Sequence, residues 1–190
     1  MSEAPVMPEV NDQETFNLER WSAICDDPVL ASLDHRIETD RHGHILMTPP
    51  PGFDHGDFQY SLGKLIEQFV LETGKVATET PISTSEGVRA ADVVWISLER
   101  LERSKKRNVL TIAPEICVEV LSPSNTRSEI EEKKRLYFEA GADEVWICDL
   151  EGRLFIYLAD IPRRRPVPRS VPRVRRDWAN DALPRKESSG

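Results

Sequence analysis

The chain has 190 residues, 39% hydrophobic and 31% charged, with 14 prolines against 9 glycines and a formal net charge of −8. That length suits one domain with a real core and some unpacked residues, and the composition excludes collagen-like and coiled-coil classes. No apolar run approaches the roughly 18 residues of a membrane-spanning helix, and the acidic start MSEAPVMPEVNDQE lacks an export signal's basic and apolar regions, so an unexported, cytoplasmic protein is expected.

Charge is divided unevenly. Residues 1–160 carry 16 basic and 30 acidic side chains, net −14, whereas residues 161–190 carry 9 and 3, net +6. An acidic body repels phosphates unless a metal or a local basic patch intervenes, which counts against a passive DNA-coating protein. The ends, residues 1–12 and the Arg/Pro-rich tail 161–190, hold too few apolar residues to offset chain entropy and are expected to be disordered. The tail's reading stays open between a solvated linker and a nucleic-acid contact.

Between these ends the elements follow in order. A short helix is expected around Glu14–Ile24, with Phe16, Leu18, Trp21 and Ile24 as its apolar members. In RIETDRHGHILMTPP two extended runs flank the turn group Arg41-His42-Gly43, which predicts a hairpin. From Phe53 to Thr73, the apolar residues Phe58, Leu62, Leu65, Ile66, Phe69 and Val70 recur at steps of three and four, one face of a helix that Gly74 would stop. Three β-type runs follow, VATETPIST, RAADVVWIS and PEICVEVLS, with the charged stretch 98–108 between the last two expected as a loop. Ser128-Glu129-Ile130-Glu131 fits a capping box that opens a helix ending near Ala140-Gly141. The strands EVWICDL and RLFIYLA close the set, joined at Glu151-Gly152. Helix, hairpin, helix, three strands, helix and two strands fit an α/β sandwich, a mixed β-sheet flanked by helices.

Few residues are placed for chemistry. Asp92 opens an apolar strand and Glu119 lies within another, where an unpaired carboxylate costs about 3 kcal/mol or more. Such acids are either the oxygen donors of a Mg²⁺ or Mn²⁺ site or strand acids bonded to arginines. Alternation puts Glu115, Cys117, Glu119 and Leu121 on one face of their strand, the less apolar one. On the following helix, counting from Ile130 at 100° per residue, Lys133 falls at about −60°, inside the apolar stripe with Tyr137, as does Lys134, while Arg135 points away. A lysine aimed inward beside Glu119 either snorkels along the core or pairs with a buried carboxylate. Glu38, on the first hairpin strand, is a further candidate metal oxygen or an exposed strand acid.

Cys117 and Cys148 sit in apolar runs as buried thiols, and without a CxxC pair a zinc knuckle has no support. His42-Gly43-His44 has H-x-H spacing but is a turn, and His55 either caps the second helix or faces a cleft. Phosphate-binding glycine loops, HExxH and GxSxG are absent.

The ordered set RIETDRHGHILMTPP, His55 before a helix, RAADVVWIS, PEICVEVLSPSN and KKRLYFEAGADEVWICD resembles the Uma-two-type restriction endonucleases of the PD-(D/E)XK nuclease-like superfamily, over roughly Leu18–Leu158. The most specific piece is VEVLSPS followed by Lys133, Tyr137, Gly141, Glu144 and Trp146. The resemblance implies a restriction-endonuclease-like α/β core and a divalent-metal-dependent DNA endonuclease, with Mg²⁺ or Mn²⁺ as cofactor and DNA as substrate. By position, Asp92 matches the motif aspartate, Glu119 the second acid, and Glu38 the early glutamate that completes the metal shell. Leu121 stands where the motif lysine is expected, and the family pattern moves that lysine to the next helix, at Lys133. Ala91 stands in place of the motif proline. The alternative is a catalytically silent nuclease-like domain that binds DNA or a protein partner. A third reading, a carboxylate-pair glycosidase, needs two acids flanking a groove and no metal. Nucleases of this fold often form homodimers, for which Trp95 and Phe155 are candidate exposed apolar contacts.

Overall fold

The structure, a computed structural model, describes residues 12–70, 72–106 and 108–159. The expectations for residues 1–11 and for the Arg/Pro-rich tail lie outside these residues, whereas Asp12, assigned to the unstructured end from sequence, opens the first helix.

Helix α1 (Asp12–Asp26) leads through a short 3-10 turn (Leu30–Ser32) to the antiparallel hairpin β1 (Arg36–Thr39) and β2 (Ile45–Thr48). Helix α2 (Phe53–Phe69) precedes the long hairpin β3 (Gly74–Thr84) and β4 (Gly87–Ser97). Then come α3 (Leu98–Ser104), the short strands β5 (Lys105–Lys106) and β6 (Val109–Leu110), β7 (Ile116–Val120), α4 (Arg127–Glu139), β8 (Glu144–Cys148) and β9 (Leu154–Leu158). Seven strands form one sheet in the order β5-β6-β3-β4-β7-β8-β9, with β3/β6 and β7/β8 parallel and the other pairs antiparallel. The hairpin β1–β2 is a separate two-stranded piece.

The expected mixed sheet flanked by helices is thus present. One face packs Leu62, Leu65 and Ile66 of α2 on Val93, Trp95, Val118 and Trp146. The other packs Tyr137 of α4 on Ile82, Val94, Cys117 and Val145. Burial of such side chains is worth about 1.5–3 kcal/mol each, so the two helices hold the sheet as a rigid slab. Parallel β7 and β8 require a crossover, and α4 supplies it.

Four local expectations are corrected. Helix α2 ends at Phe69, and Gly74 instead begins β3, where a Cβ would lie 2.7 Å from the Trp95 ring. The charged stretch after Ser97 is not a loop: its first seven residues form α3, started by Ser97 Oγ, which accepts the Arg100 amide at 3.2 Å. The capping box lies two residues earlier than expected, with Thr126 Oγ1 accepting the Glu129 amide and the Glu129 carboxylate accepting the Thr126 amide at 2.8 Å. Trp95 is buried, so it offers no surface, whereas Phe155 is exposed. The less apolar face of β7, which bears Glu119, lies under α4.

Cys117 and Cys148 are buried and free, and Cys25 is exposed. Among the described residues no helix is long and apolar enough to cross a membrane.

Candidate metal centre

Three adjacent strands put acids abreast. In the β4/β7 register the last pair is Val93↔Val118, and one further step brings Asp92 beside Glu119. In β3/β4, Thr78↔Val93 and Thr80↔Ala91 bracket Glu79 and Asp92. Glu79 has φ 48°, the left-handed region that β-strand glutamates avoid. At the same place β4 loses its alternation, since Ala91 packs on the α4 side although Val93 and Trp95 pack on the α2 side. The ladder resumes in register, so the distortion re-aims side chains around Asp92 without shifting the sheet.

Two elements off the sheet bring the cations. Strand β1 is tied to β4 by its own acid and threonine: Glu38 Oε1 accepts the Ala90 amide at 3.0 Å and Thr39 Oγ1 the Val88 amide at 3.0 Å. Gly87, at φ 104°, permits this approach, because a Cβ there would lie 2.2 Å from the Thr39 carbonyl. From β1, Arg36 pairs through Nη1 with Asp92, through Nε with Glu79 at 3.3 Å and through Nη2 with Glu38 at 3.6 Å. From α4, Lys133 Nζ reaches Glu38 at 2.9 Å and Glu119 at 3.1 Å. The helical stripe therefore placed Lys133 correctly, against carboxylates. Lys134 turns instead to Glu131 and the Tyr157 ring.

Each acid is held differently. Asp92 is 1% exposed; its Oδ2 accepts the Val120 amide at 2.6 Å, and His55 Nε2 of α2 lies 3.4 Å from Oδ1. Burial pushes its acidity down, but His55, Arg36, Lys133 and the Val120 amide outweigh it and hold the carboxyl near 2. Glu119 takes a hydrogen bond from the Tyr137 hydroxyl at 2.6 Å. Burial, reinforced by the Asp92 charge, raises its carboxyl to about 7 despite Lys133, Arg36 and Tyr137. For Glu38, burial is overcome by Lys133 and Arg36 and the group is held below its ordinary value. His55 is raised, chiefly by its bond to Asp92.

Glu38, Asp92, Glu119 and Lys133 are thus brought together. Sequence reasoning missed Arg36 and Glu79, and gave His55 only a cap or cleft role. Among the described residues, ligand atoms of His55, Glu79 and Asp92 lie within 4.8 Å of one another, a group able to hold a metal ion. With all four acids ionised against Arg36 and Lys133, the cluster carries a formal −2, matching one divalent cation. Carboxylate oxygens are the donors of hard divalent cations, and an imidazole beside them is a donor for transition-metal ions. Asp92 and Glu119 stand side by side rather than across a groove, unlike a glycosidase pair. The His42-Gly43-His44 turn is occupied otherwise, with His44 Nδ1 2.7 Å from Asp40.

A family model, Uma2, described as "Putative restriction endonuclease", matches residues 23–173. No curated protein matches the chain. Four chains of solved structures match. One is a crystal structure described as a "putative nuclease belonging to DUF820" from Anabaena variabilis ATCC 29413, 18% identical, covering 77% of this chain and 90% of that one with a TM-score of 0.60. That likeness is one of fold.

Proposed function

This chain belongs to the Uma2 family, described as "Putative restriction endonuclease", and from that premise we propose that it is a divalent-metal-dependent DNA endonuclease that hydrolyses phosphodiester bonds. The observation that carries the reading is the convergence of Glu38, Asp92, Glu119 and Lys133, from four separate elements, on one buried cluster with an excess of negative charge. Asp92, Glu119 and Glu38 are the residues that would hold Mg²⁺ or Mn²⁺, with His55 and Glu79 beside Asp92. Such an ion, when bound, supplies Lewis acidity toward a phosphoryl oxygen and a water ionised near neutral pH.

The chain's own residues do the rest. Tyr137 fixes the Glu119 carboxylate through one oxygen and Lys133 through the other. Lys133 stays protonated, since burial, which lowers its affinity for a proton, is exceeded by Glu119 and Glu38. It therefore presents a fixed positive charge where negative charge grows on phosphorus. The Val120 amide and His55 hold Asp92 ionised and oriented. The acidic remainder of the body repels nucleic acid, so binding should depend on the metal and on salt.

The test is plasmid nicking with Mg²⁺ or Mn²⁺ beside Mn²⁺ calorimetry. Asn is the useful replacement at position 92, because its carbonyl still accepts the Val120 amide, whereas Ala leaves that buried donor unmet at about 1–3 kcal/mol. Asp92→Asn and Glu119→Gln should lose nicking by 100-fold or more and weaken Mn²⁺ binding, and Lys133→Met should lose nicking with Mn²⁺ binding retained. Nicking at the parent rate by Asp92→Asn or Glu119→Gln removes that residue from the mechanism. Mn²⁺ binding without cleavage of any DNA would favour the silent nuclease-like domain.

A further inference from the structure

Arg36 is the residue at this cluster that neither the acid motif nor the family description assigns. Its guanidinium lies among Glu38, Glu79 and Asp92, the carboxylates that would surround a divalent ion. Guanidinium and ion therefore draw on the same oxygens. We propose that Arg36 is an internal competitor of the metal, a positioning residue whose side chain must leave the carboxylates for the ion to take them. The inference rests on the metal-site reading above.

Three observations support displacement over a permanent structural bond. First, the attachment is uneven: Nη1 meets Asp92 directly, but Nε and Nη2 are buried and make no hydrogen bond, although Glu79 and Glu38 lie at 3.3 and 3.6 Å. The group is held more by charge than by the two-pronged geometry that locks an arginine on a carboxylate. Second, it has somewhere to go. A cavity of about 680 Å³ opens between α1, the 3-10 turn and β1, and Arg36 and Glu79 lie on its wall together with Trp21, Leu33 and Asp34. Third, charge favours exchange. Exchanging Arg36 for a divalent ion at the carboxylates moves the formal charge from −2 to −1, and Glu79, 38% exposed, can still accompany the guanidinium at the margin.

The direction of the effect separates this role from a structural one. Removing a residue that merely braces a metal site weakens metal binding, whereas removing a competitor tightens it. Calorimetric Mn²⁺ titration of the full chain at low salt should show Arg36→Met binding at least tenfold tighter than the parent, with Arg36→Lys between them. Should the methionine variant fail to fold, the lysine variant still binds Mn²⁺ more tightly than the parent, because a lysine cannot match the three contacts. A second measurement needs no substitution. Phenylglyoxal modification of the parent, mapped by mass spectrometry, should be slow at Arg36 and several-fold faster with saturating Mg²⁺. Equal or weaker Mn²⁺ binding by the variants, or modification that Mg²⁺ leaves unchanged or slows, overturns the competition while leaving the metal site standing. No Mn²⁺ binding by parent or variants overturns both.

Discussion

Glu119 receives opposing instructions from its surroundings. Burial and the neighbouring Asp92 charge favour its protonated form, and Lys133, Arg36 and the Tyr137 hydroxyl favour the ionised one. Because burial dominates, the folded protein binds a proton here between about pH 4.5 and 7 that the unfolded chain does not. Stability without metal must then fall as pH rises through that window, by at most about 1.4 kcal/mol per pH unit for one proton. His55, raised by Asp92, acts in the same direction. Asp92 acts oppositely and lower down: held near 2, it contributes stability that is lost as pH falls from 3.8 towards 2. Melting temperature measured from pH 3 to 8 should therefore peak near pH 4–5, and saturating Mn²⁺ should flatten the decline above it. A parent that grows more stable from pH 5 to 7 without metal would refute this account of Glu119.

At this same scale the acids were legible because a carboxylate inside an apolar strand is conspicuous, and Lys133 because helical geometry fixes its direction. Glu79 was not. VATETPIST alternates like an ordinary strand, and the left-handed backbone that turns Glu79 towards Asp92 leaves no mark in residue types. Arg36 stood next to Ile37 and Glu38, and only the docking of β1 over β4 reveals where its side chain goes.

Among the elements, α1 is fastened to the sheet through a buried polar residue. Asn17 is buried, and its Nδ2 donates to Ser83 Oγ and the Thr84 carbonyl, both at 2.9 Å, at the turn joining β3 and β4. Replacing it with Ala leaves these groups without their partner and should cost about 1–3 kcal/mol, read as a lowered urea midpoint. The loss should reach the site, since α1 also donates Arg20 Nε to the Gly43 carbonyl of the β1–β2 turn at 2.8 Å. An unchanged midpoint would mean that Trp21 and Ile24 alone dock the helix.

Strong hydrophobic periods made α2, β4, β7, α4 and β8 readable, and their order gave the sheet flanked by helices. What failed were signals of low hydrophobic content. The α3 segment is charged at four of its seven residues, and its helix depends on the Ser97 cap and on Arg100, which donates to the Ala113 and Gly141 carbonyls at 2.9 and 2.8 Å. Two overlapping cap patterns precede α4, and the turn in which Asn125 Oδ1 accepts the Ser122 amide selects the earlier. The first choice leans on tertiary contacts and the second on a local turn, and a hydrophobic period carries neither.

For the molecule as a whole, charge is segregated: an acidic body, net −14 over residues 1–160, and a basic segment, net +6 over 161–190. The family match runs on to residue 173, past the start of that segment. If those arginines meet phosphates, a chain ending at Asp160 should bind duplex DNA more weakly at low salt, with a shallower dependence of log K on log salt. Fluorescence anisotropy at several salt concentrations measures both. Equal affinity and slope would make the segment a solvated linker.

One hydrogen bond in the site also makes it observable. The Val120 amide points its proton at the Asp92 carboxylate, so a main-chain nucleus senses directly any change in what that carboxylate holds. A single cross-peak in a nitrogen–proton correlation spectrum, followed during a Mg²⁺ titration, would then report occupancy of the centre without nucleic acid, turnover or an introduced label.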